Sequence, residues 1–163
     1  MIKLLAVVSA LLALAACGQP AAPPAPAVSK AASVHGDLPP ITVYKTATCG
    51  CCKAWVNHLR EAGFPVDARD VENLVPIKER VGVPHGMGSC HTAEVGGYFV
   101  EGHVPAEDIK RLLMEHQGAK GLVVPAMPVG SPGMEHPSGK VQPYDVFIVG
   151  ADGAKSVYSH QGE

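Results

Sequence analysis

The chain has 163 residues, with 13 Lys and Arg against 15 Asp and Glu and a formal net charge of −2. That near balance, with no basic stripe, excludes the electrostatic footprint of a nucleic-acid-binding protein. Five cysteines among 15 prolines and 18 glycines turn attention to thiol chemistry and to turns.

The first segment reads as an export signal. Lys3 precedes an uncharged apolar run from Leu4 to Ala16 that reaches Cys17. At about 1.5 Å per residue such a run covers roughly 20 Å, short of a hydrocarbon core of about 30 Å, so it directs export rather than spanning a membrane. The small residues before Cys17 resemble the bacterial lipobox, so residues 1–16 are expected to be removed and Cys17 to carry the lipid, several acyl chains anchoring stably. The expected location is the periplasmic side of the bacterial envelope, on the outer membrane. An ordinary signal peptide that discards Cys17 is the alternative. Residues 17–37 follow as an Ala/Pro-rich tether with almost no large apolar residue, a composition that stays semi-extended. Leu38 to Glu163 matches one domain with a modest core and no internal repeat.

Within that domain, Ile41–Tyr44 reads as a buried first strand, because it is β-branched and aromatic. Lys53–Ala62 places Trp55, Val56, Leu59 and Ala62 on one helical face, and Gly63 stops the helix. Phe64–Val71 reads as a second strand and Asn73–Arg80 as a short helix with Pro76 in its first turn. Cys90–Val95 and Tyr98–Glu101 flank Gly96-Gly97 and predict a hairpin. Pro105 then opens an amphipathic helix with Ile109, Leu112, Leu113 and His116 on one face. Leu122–Pro143, rich in Pro, Gly and Met, is expected to be a loop. Tyr144–Val149 and Val157-Tyr158, around the Asp152-Gly153 turn, read as an added hairpin. The order is β-α-β-α-β-β-α plus that hairpin, an α/β fold.

The chemistry gathers at Cys49-Gly50-Cys51-Cys52, between the first strand and the first helix. Thiols there meet the positive end of a helix, which favours thiolates. Cys49 and Cys52 form a C-x-x-C pair, the redox spacing of thioredoxin-like proteins, and Cys51 adds a third sulfur. With Cys17 lipidated, the remaining thiol is Cys90, at the start of the third strand, where the fold would bring it to the cluster. Val83-Pro84 falls where thioredoxin-like proteins carry a cis-proline loop, although sequence leaves its isomer open.

Soft thiolates and thioethers select copper(I), whereas tetrahedral Cys/His sets also suit zinc. Adjacent Cys51 and Cys52 are awkward for one closed zinc site but can bridge several copper(I) ions. Methionines in loop-like sequence, at His85-Gly86-Met87 and in the Met127–His136 stretch with Met134 and His136, add thioethers for which zinc has little use.

Four separated blocks carry a family resemblance: the C-x-C-C cluster, Ser89-Cys90-His91-Thr92-Ala93, Glu101-Gly102-His103-Val104-Pro105-Ala106, and Met127 to Glu135. Together they resemble the CopG-type family of periplasmic copper-resistance proteins, over about Ile41 to Gly150. The resemblance implies a thioredoxin-like domain that binds copper through its cysteines and helps the envelope tolerate excess copper, with thiol or copper redox activity as a further option. By matching position it nominates Cys49, Cys51, Cys52 and Cys90 as ligands, with Met127 as the thioether. The Pro84–Gly88 stretch departs from the pattern through its glycines, and opens His85 or Met87 as extra donors.

Other readings stand beside this one. Four cysteines in an oxidising compartment could form two structural disulfides. Cys49 could attack and Cys52 resolve in a thiol-disulfide or copper oxidoreductase. Zinc could stabilise the fold. His91 is a ligand or a sheet hydrogen-bonder, and His103 a ligand or a support to one. Met114 reads as core or surface, Trp55 as core, and His58 and His160 as incidental. The expected partners are copper ions, the membrane through Cys17, and envelope copper-handling proteins.

Overall fold

The computed structural model describes residues 38–115 and 118–162. The signal segment 1–16, Cys17, the tether with His35, and His116 lie outside the described residues. No helix among those described is long and apolar enough to cross a membrane.

The strands are β1 (Ile41–Lys45), β2 (Val66–Asp70), β3 (His91–Val95), β4 (Tyr98–Glu101), β5 (Ala119–Val123), β6 (Tyr144–Gly150) and β7 (Lys155–Gln161). The helices are α1 (Gly50–Glu61), α2 (Val75–Val81) and α3 (Ala106–Glu115). All strands join one seven-stranded sheet in the order β2-β1-β3-β4-β5-β6-β7. β1 runs parallel to β2 and β4 parallel to β5; the other pairs are antiparallel.

Side-chain alternation divides the core between the two faces of this sheet. On one face Val43, Ala93, Val100 and Leu122 pack under Trp55, Val56 and Leu59 of α1 and Ile109 and Leu112 of α3. On the other, Phe99, Val123 and Val149 meet Val81, Val83 and Met87 around the end of α2. Helix α1 buries Cys52, Trp55, Val56 and Leu59, spaced i, i+3, i+4, i+7, which is one stripe of a 3.6-residue helix. Its end is closed by Gly63 at φ 96°, with Gly63 N–H donating to Arg60 O and Phe64 N–H to Leu59 O, both at 3.0 Å. Only a residue tolerant of that left-handed conformation permits the pair of bonds.

Three expectations need correction. Ala119–Val123 is a strand, so the segment expected to be a loop from Leu122 begins inside β5. Its central Gly121 lowers the β signal, but the residue must be glycine: a Cβ there would lie 2.1 Å from Phe99 O. Because β5 pairs with β4, the C-terminal hairpin β6–β7 continues the main sheet. Second, α1 begins at Gly50 rather than Lys53, so Cys51 and Cys52 lie in its first turn. Third, Pro105 precedes α3 as its cap: its carbonyl accepts from Asp108 N–H at 3.1 Å and Ile109 N–H at 3.2 Å.

Candidate metal centre

β1 ends at Lys45, the chain turns through Thr46–Thr48, and Cys49 caps α1. Cys49 has φ −73° and ψ 102°, extended rather than helical, and its Sγ accepts the Cys52 N–H at 3.3 Å. A cysteine sulfur therefore occupies the place where Ser or Asp would satisfy an orphan amide. Cys51 is half-buried and Cys52 fully buried on the core stripe of α1.

Cys90 comes from the residue before β3, which pairs antiparallel with β1 and so returns the chain to the same end of the sheet. Its Sγ lies 3.5 Å from Cys52 Sγ and 3.7 Å from Cys51 Sγ. Cys51 Sγ in turn lies 3.5 Å from Cys49 Sγ. Cys49 and Cys52 are joined as a disulfide, while Cys51 and Cys90 are free. There is thus one bridge among these four cysteines, not the two of a disulfide scaffold.

Two imidazoles complete the cluster. His91 Nδ1 and His103 Nε2 each lie 3.3 Å from Cys90 Sγ, and both rings are fully buried. The rings meet edge to face at 4.8 Å, with Trp55 4.4 Å from His91 on its other side. His103 Nδ1 donates to the Pro132 carbonyl at 2.8 Å, which leaves Nε2 as the lone-pair nitrogen facing Cys90. His91 Nε2 is buried with no hydrogen-bond partner among the described residues. Burial drives both imidazoles toward the neutral, ligating form, His91 to about 3 and His103 below its usual value. Burial and the neighbouring Cys51 push the Cys90 thiol up to about 11.

The spacing suits a metal. Ligands about 2.3 Å from one ion in a tetrahedron lie about 3.8 Å apart, and a sulfur–nitrogen pair about 3.5 Å. Two overlapping sets, Cys49-Cys51-Cys52-Cys90 and Cys90-His91-His103, each keep their ligand atoms within 4.8 Å of one another, and the first offers all four thiolates once the Cys49–Cys52 bridge is reduced. Cys90 belongs to both.

The loop after β5 covers the cluster. Besides the Pro132 bond, Gly133 at φ 85° lies so close to the head of α1 that a Cβ would fall 2.7 Å from Cys51 O and Trp55 N. Met134 is half-buried in this loop; His136 is exposed and bonds Ser138 Oγ at 2.8 Å. Met127 is 48% exposed in a groove of about 280 Å³ formed with Gln142, Tyr144 and Phe147 and lined by no cysteine. Met87 packs against the α2-side core, His85 is exposed, and the Val83-Pro84 peptide is trans.

Sequence reasoning missed two residues here. His58, expected to be incidental, accepts the Ala106 N–H through Nε2 at 3.0 Å and caps α3. Glu101, fully buried, accepts from Ser89 N–H at 2.6 Å and Thr92 Oγ1 at 2.7 Å and pairs with Lys78. A carboxylate ending the apolar run Tyr98-Phe99-Val100 was its one signal in the sequence.

Fold and site together define a mixed α/β protein with a buried thiol–imidazole cluster of metal-ligating geometry. A family described as "Protein of unknown function, DUF411" matches residues 87–134. Among curated proteins none matches. Two solved structures, of "Copper resistance protein copG" in Form 1 and Form 2, are each 44% identical with a TM-score of 0.73, covering 77% of this chain and 99% of theirs. The chain belongs to the CopG family of copper resistance proteins.

Proposed function

We propose that this protein is a periplasmic copper(I)-binding protein of copper homeostasis, built on a thioredoxin-like core and held to the outer membrane through a lipid on Cys17. One observation carries the reading: Cys90 Sγ lies 3.5 Å from Cys52 and 3.7 Å from Cys51, joining sulfurs from distant parts of the chain in a soft-donor nest. In the reduced form, Cys49, Cys51, Cys52 and Cys90 hold one or more copper(I) ions, and His91 and His103 offer nitrogens beside Cys90. Thiols surrender protons as the metal binds, so affinity rises with pH. Met127 is an outer thioether, reached from the covering loop.

Anaerobic copper(I) titration of the reduced domain against a competing chelator tests this. Serine at Cys51 and Cys52 is expected to remove most of the binding; unchanged stoichiometry would sink the proposal, as would preference for zinc in direct competition. Metabolic labelling with a radioactive fatty acid, lost in Cys17→Ala, tests the anchor.

The Cys49–Cys52 disulfide favours a second reading, thiol-disulfide or copper oxidoreductase. Half-buried Cys49 would attack and buried Cys52 resolve, the disulfide taking two electrons and two protons when a dithiol reduces it. A disulfide reductase assay on Cys49→Ser, with and without copper, decides; activity equal to the parent removes the reading.

A further inference from the structure

Behind Cys90, on the α2 side of the sheet, lies a second buried polar group that the copper reading does not use. Glu101 ends β4, opposite Thr92 in the β3–β4 register, with its side chain wholly shielded from solvent. A carboxylate so buried is costly unless its oxygens are filled. Here they are: Oε1 takes the Ser89 N–H at 2.6 Å and the Lys78 ammonium, and Oε2 takes the Thr92 hydroxyl at 2.7 Å. Lys78 Nζ also donates to Thr92 Oγ1 at 3.0 Å. Desolvation biases this carboxyl toward its protonated form, against which all three donors pull.

The Ser89 bond distinguishes this network from a plain internal ion pair. Ser89 immediately precedes Cys90 and belongs to no strand or helix. Its neighbour Gly88 accepts from Ala126 N–H at 3.3 Å, its own hydroxyl donates to Ala126 O, and its amide goes to Glu101. Gly102, next to Glu101, makes room for it: a Cβ there would fall 2.8 Å from Ser89 Cβ. The following residue is His103, which faces Cys90 from the other side. The end of β4 and the residues just after it therefore hold the Ser89-Cys90 segment at two points, Glu101 at the Ser89 amide and His103 at the Cys90 sulfur.

We propose that Glu101 is a positioning residue for the metal site: its Oε1, anchored by Lys78, accepts the Ser89 amide and so sets Cys90 Sγ in register with Cys51 and Cys52. This rests on the reading of Cys90 as a copper ligand.

The experiment compares Glu101→Asp, Glu101→Gln and Cys90→Ser in the full protein. Aspartate keeps the charge for Lys78 but withdraws it by one methylene from Ser89, whereas glutamine keeps the reach and an acceptor oxygen. Two readouts are taken on the reduced, metal-free protein and its copper(I) complex: the ratio of Cys90 to Cys51 alkylation by peptide mass spectrometry, and copper(I) affinity under a competing chelator. Glu101→Asp is expected to raise the alkylation ratio and weaken copper(I) by about tenfold each, the scale of one hydrogen bond to a charged group. Glu101→Gln is expected to restore both toward parental values even where its melting temperature falls, which a merely structural role would not produce. A parental ratio and affinity in Glu101→Asp overturns the proposal, and so does a Glu101→Gln that behaves like Glu101→Asp. Should Cys90→Ser bind copper(I) as the parent does, the copper reading of Cys90 fails instead, whatever the alkylation ratio shows.

Discussion

The cysteine cluster and the methionine-bearing segments offer the same element, sulfur, yet the fold treats them oppositely. Cys49, Cys51 and Cys52 arrive at a helix head and Cys90 at a strand start, so antiparallel pairing of β1 with β3 holds their sulfurs together. The methionines are dispersed: Met114 is 76% and Met127 48% exposed, and Met87 fills the α2-side core. Abundance of a donor type in a sequence is therefore a weak guide to a site. What decides is whether regular elements fix the donors at a shared end, since thiols on rigid elements need little ordering when an ion arrives.

The sharpest way to break that contrast is at Cys90. Cys90→Ser is expected to lower copper(I) affinity by a hundredfold or more, on the order of the loss when a buried charged partner is removed, whereas Met127→Leu is expected to change it by less than about threefold, leaving packing nearly intact. Equal losses in chelator competition would erase the distinction between the two regions. Next in size is Gly102→Ala. Its Cβ would meet Val124 O at 2.3 Å at a φ of 76°, so about 3 kcal/mol or more of stability should go, read by denaturant unfolding. Gly133→Ala tests the cover: a contact at 2.7 Å with Cys51 O and Trp55 N should cost about 1–3 kcal/mol and lift the loop, with faster amide exchange through residues 128–134.

The smallest expected effect is on pH dependence. Burial is the leading cause that lowers the folded-state pKa of His58, and it lowers His91 and His103 alike, all from an ordinary value of 6.5. The unfolded chain then binds more protons than the native one as pH falls through 6.5, so the stabilisation present above that pH is lost progressively below it. Melting temperature of the metal-free protein should fall between pH 7 and pH 5. His58 adds a specific reason, because protonating Nε2 abolishes the Ala106 cap. A flat profile would show that these rings are solvated and the cluster looser than described.

Much of the fold was legible because its signals are local. The Trp55-Val56-Leu59 stripe, the Gly63 stop and the Gly96-Gly97 hairpin each declare themselves within a few residues. β5 did not, because Ala119-Lys120-Gly121-Leu122-Val123 carries too few β-branched residues; its strand state comes from pairing with β4 and β6. His58 and Glu101 were opaque for a related reason: neither sits in a motif, and each takes its role from residues 48 and 12 positions away.

By itself the sequence determined the periodic elements, the C-x-C-C at a strand–helix junction and the family likeness, since these depend on short-range spacing and on residue type. Only the tertiary structure decided that His91 and His103 both stand beside Cys90, that Glu101 lies behind it, and that Met127 lies in a surface groove. Those are meetings between segments far apart along the chain, set by strand register and burial, and no local pattern encodes them.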